Sequence, residues 1–133
     1  MSLSKIILLL AFCASACPLS AHHSFGADYD TSKPFTLTGT VTRVDWMNPH
    51  VHFYMDVKDE SGRVTNWAFE LGSPNALKRA GLTSHSLKIG QEITVKGSRS
   101  KDFPCRGNAT TIISSDGRVL LSGEAFGHDV IAR

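Results

Sequence analysis

The sequence predicts an all-β domain: a small barrel of five to six strands with one short helix between the third and fourth strands. Two observations lead to this fold class. Most of the chain after residue 34 alternates apolar and polar residues in runs of strand length, and many of these residues are β-branched. Turn residues separate the runs, and one segment carries helix signals at both of its ends.

The first 21 residues are expected to form a signal peptide ahead of this domain. Lys5 supplies the positive start, residues 6–16 an apolar core, and Leu19-Ser20-Ala21 a small-residue cleavage site. The apolar core of about 11 residues is well short of the roughly 20 that span a bilayer. We therefore expect a periplasmic or secreted protein that is cleaved after Ala21 and has no transmembrane segment. A lipoprotein anchored through Cys17 is the less favoured alternative.

The remaining chain has the composition of one soluble domain. The formal net charge of +2 falls to +1 without Lys5, and no basic run stands out, so we expect no nucleic-acid partner. Cys105 is the one cysteine that follows the leader, and it therefore cannot form an internal disulfide. It is expected to be a free thiol in a loop, with an intermolecular bond or metal ligation as the alternatives.

We divide the chain after the leader into an N-terminal arm (22–34), a barrel domain (35–121) and a C-terminal tail (122–133). The first strand is predicted to be long, and Gly39 inside it suggests a bulge or a sharp bend. Asn48-Pro49 ends the strand because proline has no amide hydrogen for the ladder. The further elements are strands over 50–58 and 64–71, a helix over 73–81, and strands over 91–98, 108–114 and 118–121.

This order of elements is that of an OB-type barrel, in which a helix bridges the third and fourth strands. The helix has Ser73 as a possible cap, Pro74 at the first helical position and Gly81 at the end. A hairpin turn at residues 59–62 joins the second and third strands. A small open β-sandwich is the competing architecture.

Five short motifs together resemble the DUF6152 family of small exported bacterial proteins of unknown function. The resemblance covers most of the chain from His22 to about Leu121, and it implies export and a single small β domain. It implies no activity. The loop around Phe103-Pro104-Cys105 falls outside the pattern. The matching motifs are Ala21-His22-His23-Ser24-Phe25, Leu37-Thr38-Gly39-Thr40-Val41, Trp46-x-Asn48-Pro49-His50, Asn66-Trp67-x-x-Glu70 and Ser73-Pro74-Asn75.

Histidine spacing is the strongest functional signal in the chain. His50 and His52 would leave a strand on the same face, with about 6.5–7 Å between their Cα atoms, and could reach one metal ion. Cleavage after Ala21 would make His22 the first residue, so that its amine and imidazole form a chelating pair suited to copper. His23 is a further candidate ligand. The residues expected to orient or flank this site are Asp45, Trp46, Asn48 and Glu70.

Other assignments remain open at this point. The histidines could face solvent or form hydrogen bonds only, in which case the same corner would contact an unknown partner protein in an interaction or assembly role. Catalytic motifs are missing from the sequence, so we expect a binding protein that is not an enzyme, with copper as its one possible cofactor. Aromatic residues could form a stacking platform, although core packing is the expected role of most of them; these are Trp46, Phe53, Tyr54, Trp67 and Phe69.

Overall fold

The computed structural model describes residues 28–123, which contain six strands and one short helix. The predicted leader, the part of the predicted arm before residue 28 and most of the predicted tail lie outside these residues. The elements are β1 (Tyr29–Asp45), β2 (His52–Lys58), β3 (Val64–Glu70), α1 (Pro74–Arg79), β4 (Glu92–Ser100), β5 (Arg106–Ser114) and β6 (Val119–Leu121).

The strands form one sheet that closes into an OB-like barrel, and the predicted fold class is confirmed. The sheet runs in the order β3-β2-β1-β4-β5-β6, and a parallel pairing of β3 with β5 joins its two sides. Closure is uneven, because β3 meets β5 only along Ala68–Glu70 and Arg106–Asn108. β6 pairs with the same edge of β5 as β3 does, but farther along the strand, at Ile112 and Ile113.

The long first strand shows where the sequence-based boundaries were wrong. β1 begins at Tyr29 and not at Phe35, because the end of the predicted arm already pairs with β4 at Arg99 and Ser100. The predicted bulge is also displaced: the register with β2 shifts between Val41 and Arg43. Gly39 instead allows a close approach, since a Cβ atom there would lie 2.3 Å from the carbonyl oxygen of Asp56.

Alternation in β2 and β3 places one face of each strand in the core. Phe53, Met55 and Phe69 have no solvent exposure, and Trp67 is buried beside them. The Phe53 and Phe69 rings stack with their centroids 5.0 Å apart. Core packing is therefore the role of these three aromatic side chains, and they form no exposed platform. The opposite faces of the two strands are left on the outside of the barrel.

The helix after β3 follows the predicted signals. The Ser73 hydroxyl accepts a hydrogen bond from the Ala76 amide, Pro74 is the first helical residue, and Gly81 adopts the left-handed φ of +88° beyond the end. Leu77 is fully buried, so the helix covers one end of the barrel core. Between residues 28 and 123, no helix is long and apolar enough to cross a membrane.

Candidate functional site

A row of polar side chains crosses the outside of the barrel where β1, β2, β3 and β5 lie side by side. The register pairs Asp45 with His52, His52 with Glu70, and Glu70 with Asn108. Directly paired residues on neighbouring strands point to the same face of a sheet. Four strands therefore bring residues that are far apart in the sequence into one outward-facing row.

Glu70 is the centre of this row. Its Oε1 atom lies 2.6 Å from Nδ1 of His50, and its Oε2 atom lies 3.8 Å from Nε2 of His52. The Tyr29 hydroxyl donates a hydrogen bond of 2.5 Å to Oε2, and the Arg106 guanidinium lies 3.4 Å from the same oxygen. We call these five residues, His50, His52, Glu70, Tyr29 and Arg106, the Glu70 cluster.

Backbone hydrogen bonds fix His50 over the end of β3. The Val51 amide donates to the Gly72 carbonyl at 3.1 Å, and the Leu71 amide donates to the Val51 carbonyl at 2.8 Å. These bonds continue the β2–β3 ladder one step past the strand ends, after the cis peptide bond between Asn48 and Pro49. His50 therefore projects to the same face as His52, as the sequence spacing predicts.

The cluster lies partly out of water, which strengthens its electrostatic interactions. The Glu70 side chain is 18% exposed, against 36% for His50 and 30% for His52. The surroundings lower the pKa of Glu70 to about 2: the His52 imidazole is the largest cause, burial opposes it, and the Tyr29 hydroxyl and the charge on His50 add to it. The contact with His50, at 2.6 Å, is shorter than the contact with His52, at 3.8 Å, and electrostatic attraction weakens with distance.

Tyr29 is held in its neutral form by the same contacts. Burial is the main cause that raises the pKa of its hydroxyl, and the neighbouring carboxylate of Glu70 raises it further. Tyr29 is only 5% exposed. The hydroxyl therefore keeps the proton that it donates to Glu70.

The other predicted site residues are placed at the margin of the cluster. Asp45 contacts the Arg43 guanidinium, which lowers the pKa of that carboxyl, and the charge on His52 contributes less. Trp46 is partly buried and packs against the core, while Asn48 is exposed in the corner. In the described part of the chain, the polar partners of Glu70 do not include these three side chains.

Two members of the cluster were missed by the sequence analysis. Tyr29 was assigned to the polar arm and Arg106 to a loop, where neither had a periodic pattern around it. The pairing of β1 with β4 and of β3 with β5 brings both to Glu70. They also line a cleft of about 150 Å³ beside the carboxylate, together with Asp28, Ser100, Asp102 and Phe103.

The candidate metal ligands divide into two groups. His22 and His23 lie outside the described residues, so the structure gives no position for them. His50 and His52 each direct one ring nitrogen towards Glu70, which leaves Nε2 of His50 and Nδ1 of His52 as the nitrogens that could bind a metal. Within residues 28–123, no group of three or more histidine, cysteine, aspartate or glutamate side chains is arranged to hold a metal ion by itself.

Cys105 and His85 are not members of the Glu70 cluster. Cys105 is a free, partly buried cysteine that packs against the core, and its backbone carbonyl accepts a hydrogen bond from the Ala68 amide. His85 is exposed in the segment that leads to β4. His85 therefore provides a histidine outside the Glu70 cluster for comparison.

Comparison with protein families identifies relatives of the chain. The sequence profile of DUF6152, a family of unknown function, matches residues 10–111. The chain belongs to the DUF6152 family. A comparison with curated proteins gave no match.

Two proteins are among the solved structures to which the fold is similar. One is the dimeric N-terminal domain of PriB from Thermoanaerobacter tencongensis, at 20% identity and a TM-score of 0.48, over 62% of this chain and 96% of that one. The other is a ZRD-deleted mutant of TiaS in complex with agmatine, at 19% identity and 0.46, over 78% of this chain and 25% of that one. Neither similarity bears on what this member of DUF6152 binds.

Proposed function

We propose that this protein is an exported, non-enzymatic binding module that holds a transition metal, with copper as the best fit. The ligands in this proposal are His50 and His52 of the Glu70 cluster together with His22 and His23 of the arm. Glu70 orients the imidazoles and does not bind the metal. Export to the periplasm or the exterior rests on the predicted signal peptide.

The contact between Tyr29 and Glu70 is the observation that carries the proposal. Tyr29 belongs to the predicted arm, and its hydroxyl lies 2.5 Å from the carboxylate that also contacts His50. The arm therefore enters the barrel beside the two histidines. An extended chain covers at most about 3.3–3.6 Å per residue, so the step from Tyr29 back to His23 gives a reach of about 20 Å. That reach is ample for a shared site.

The chemistry of the donors favours copper. An amine and imidazole from a processed His22, combined with one or two further imidazoles, would supply the nitrogen-rich ligand set that Cu(II) prefers. The contact of His50 Nδ1 with the Glu70 carboxylate is the arrangement in which a carboxylate fixes the orientation of a ligating imidazole and increases its basicity. It leaves Nε2 of His50 for the metal.

A second candidate function is a protein-interaction module without a metal. The contacts around Glu70 favour it in one respect, because they provide polar partners for the histidine side chains without any metal ion. In that case the outward row on β1, β2 and β3 would contact a partner protein. The two candidates differ in whether copper binding depends on His50.

The test is a Cu(II) titration of the processed protein that begins at His22 with a free amine, monitored by calorimetry. We expect His50→Ala to weaken binding about 10-fold or more, because one of few nitrogen ligands is lost. His85→Ala is the matched control, since it removes an exposed histidine from another surface. A form with additional residues before His22 should also bind more weakly, because its amine is blocked.

Circular dichroism of each variant checks that the barrel is intact. Equal copper affinity of His50→Ala and the unaltered protein would reject the shared site and favour the interaction module. Equal losses in His50→Ala and His85→Ala would show that copper binds histidines unspecifically, and would also reject it.

A further inference from the structure

The first residues of β1 are separated from the rest of the strand by a break in its ladder with β4. Asp30 is paired with Arg99 and Pro34 with Ser98, so three residues of β1 stand between two consecutive positions of β4. These three residues, 31–33, are exposed to solvent. Pro34, which follows them, has no amide hydrogen for a sheet hydrogen bond. The ladder therefore holds the residues before and after the break as two separate stretches.

The stretch around the break is stabilised by contacts within itself. The Ser32 amide and hydroxyl both donate hydrogen bonds to Oδ1 of Asp30, at 3.0 Å and 2.6 Å. The Lys33 ammonium lies 3.4 Å from Oδ2 of the same carboxylate. These contacts join residues two or three positions apart, so they would persist if the whole stretch moved away from the barrel. We call residues 28–33 the strap.

The strap is attached to the barrel through β4 and through Tyr29. Within the described residues, β4 is the strand that pairs with it, because the ladder between β1 and β2 begins only at Gly39. The Lys101 amide, just after β4, donates a hydrogen bond of 3.0 Å to the Asp28 carbonyl. The buried Tyr29 side chain adds the hydrogen bond to Glu70 on β3. The strap thus lies along one edge of one strand and is anchored by a tyrosine.

We propose that the strap opens as a unit while the barrel stays folded, and that this opening uncovers the cleft beside Glu70. Asp28 and Tyr29 line that cleft together with Arg106 and Phe103, so their departure exposes the carboxylate and the guanidinium. Segments with few buried contacts open at a lower free energy than core strands do. The proposal does not depend on whether the neighbouring histidines bind copper.

The size of the cleft gives the opening a role in binding. Its volume is about 150 Å³ with the strap in place. Pockets that enclose small organic molecules measure about 300–1,000 Å³. A ligand of that size would therefore need the strap to open before it could contact Glu70 and Arg106.

Amide hydrogen exchange of the processed protein, followed by nuclear magnetic resonance, tests the proposal. The Lys101 amide reports on the strap through its bond to Asp28. The Val41 amide reports on the barrel, because it donates to the Gln91 carbonyl at 2.9 Å on the other side of the break. We expect Lys101 to exchange at least about 100-fold faster than Val41 after correction for intrinsic rates. Its rate should change little at low urea concentrations, because opening of the strap exposes little surface.

A mild core substitution separates local opening from unfolding of the barrel. Ile112→Val shortens a fully buried side chain in β5 and leaves the strap untouched. It should speed the exchange of Val41 about 5-fold, because the barrel loses stability. The exchange of Lys101 should stay unchanged, since a local opening does not require the barrel to unfold.

A pair of tyrosine variants tests the anchor. Tyr29→Phe removes the hydrogen bond to Glu70 and should speed the exchange of Lys101 about 10-fold. Tyr54→Phe is the matched control, because the Tyr54 hydroxyl accepts a hydrogen bond of 3.1 Å from the Arg43 guanidinium on the exposed outer face. It should leave Lys101 unchanged.

Three results would overturn the proposal. If Ile112→Val speeds the exchange of Lys101 and Val41 equally, the strap opens only when the whole barrel unfolds. A Lys101 amide without any protection would show that the strap is not held against β4 in solution. An unchanged Lys101 rate in Tyr29→Phe, or equal changes in Tyr29→Phe and Tyr54→Phe, would reject Tyr29 as the anchor.

Discussion

Glu70 and Asp45 are both acidic side chains that flank His52 in the same cross-strand row, yet their surroundings differ. Asp45 is paired with Arg43, which is two residues away on the same strand and exposed to solvent. Glu70 is largely shielded and collects contacts from the start of β1, from His50 in the segment that leads into β2, and from β5. The two carboxylates differ little in side-chain exposure, at 18% for Glu70 and 25% for Asp45, so the contacts of Glu70 with residues distant in the sequence are what distinguish it from the local pair.

The largest change in the free energy of unfolding is expected when the charge of Glu70 is removed. Glu70→Gln should lower the free energy of unfolding at neutral pH by about 2 kcal/mol, because Arg106 loses its anion in a partly buried site. Urea unfolding measures this difference. Asp45→Asn is the comparison variant in the same row, and a loss as large as that of Glu70→Gln would contradict the distinction between the two carboxylates.

A smaller effect is expected in the pH dependence of stability. Glu70 has a pKa of about 2 in the folded protein, below its ordinary value of 4.5, so the folded state favours the charged form. Its contribution should be complete above pH 4.5 and disappear as the pH falls towards 2. The pKa difference is equivalent to about 3 kcal/mol, which we reduce to about 1–2 kcal/mol for solvent screening.

Unfolding measured between pH 7 and pH 2 for the unaltered protein and Glu70→Gln tests this. The gap between their stabilities should narrow over the interval below pH 4.5. A gap that stays constant down to pH 2 would show that the charge of Glu70 is not the stabilising feature.

The smallest effect is expected at the exposed pair. The pKa of Asp45 is also lowered, chiefly by Arg43, but exposed ion pairs contribute little because water and salt screen them. Arg43→Gln should leave the unfolding midpoint in urea unchanged within error at moderate salt. A clear shift of the midpoint would mean that the contact of the guanidinium with the Tyr54 ring, at 4.2 Å, stabilises the barrel.

Much of the fold follows from local patterns. Alternation alone predicts that Phe53, Met55 and Phe69 lie on the core side, and the signals at Ser73 and Gly81 bound the helix. These signals are readable because the period of a strand and the capping of a helix depend on neighbours along the chain. The same logic places His50 and His52 on one face.

Features that depend on distant partners could not be predicted in this way. Gly39 was interpreted as a bulge, whereas it is small because the backbone at Asp56 passes close to it. Tyr29 stands in a polar stretch with no alternation, and only its pairing with β4 shows it to be part of the barrel. At neither position does a local pattern indicate which distant segment of the chain it contacts.

The sequence by itself determined the alternation of the strands, the turns and helix between them, and the shared face of His50 and His52. The tertiary structure alone decided that Tyr29 and Arg106 converge on Glu70. That convergence requires the parallel pairing of β3 with β5 and the extended ladder between β1 and β4. Local patterns specify which face of a strand is buried, whereas the choice of strand partners depends on how the whole chain closes around its core.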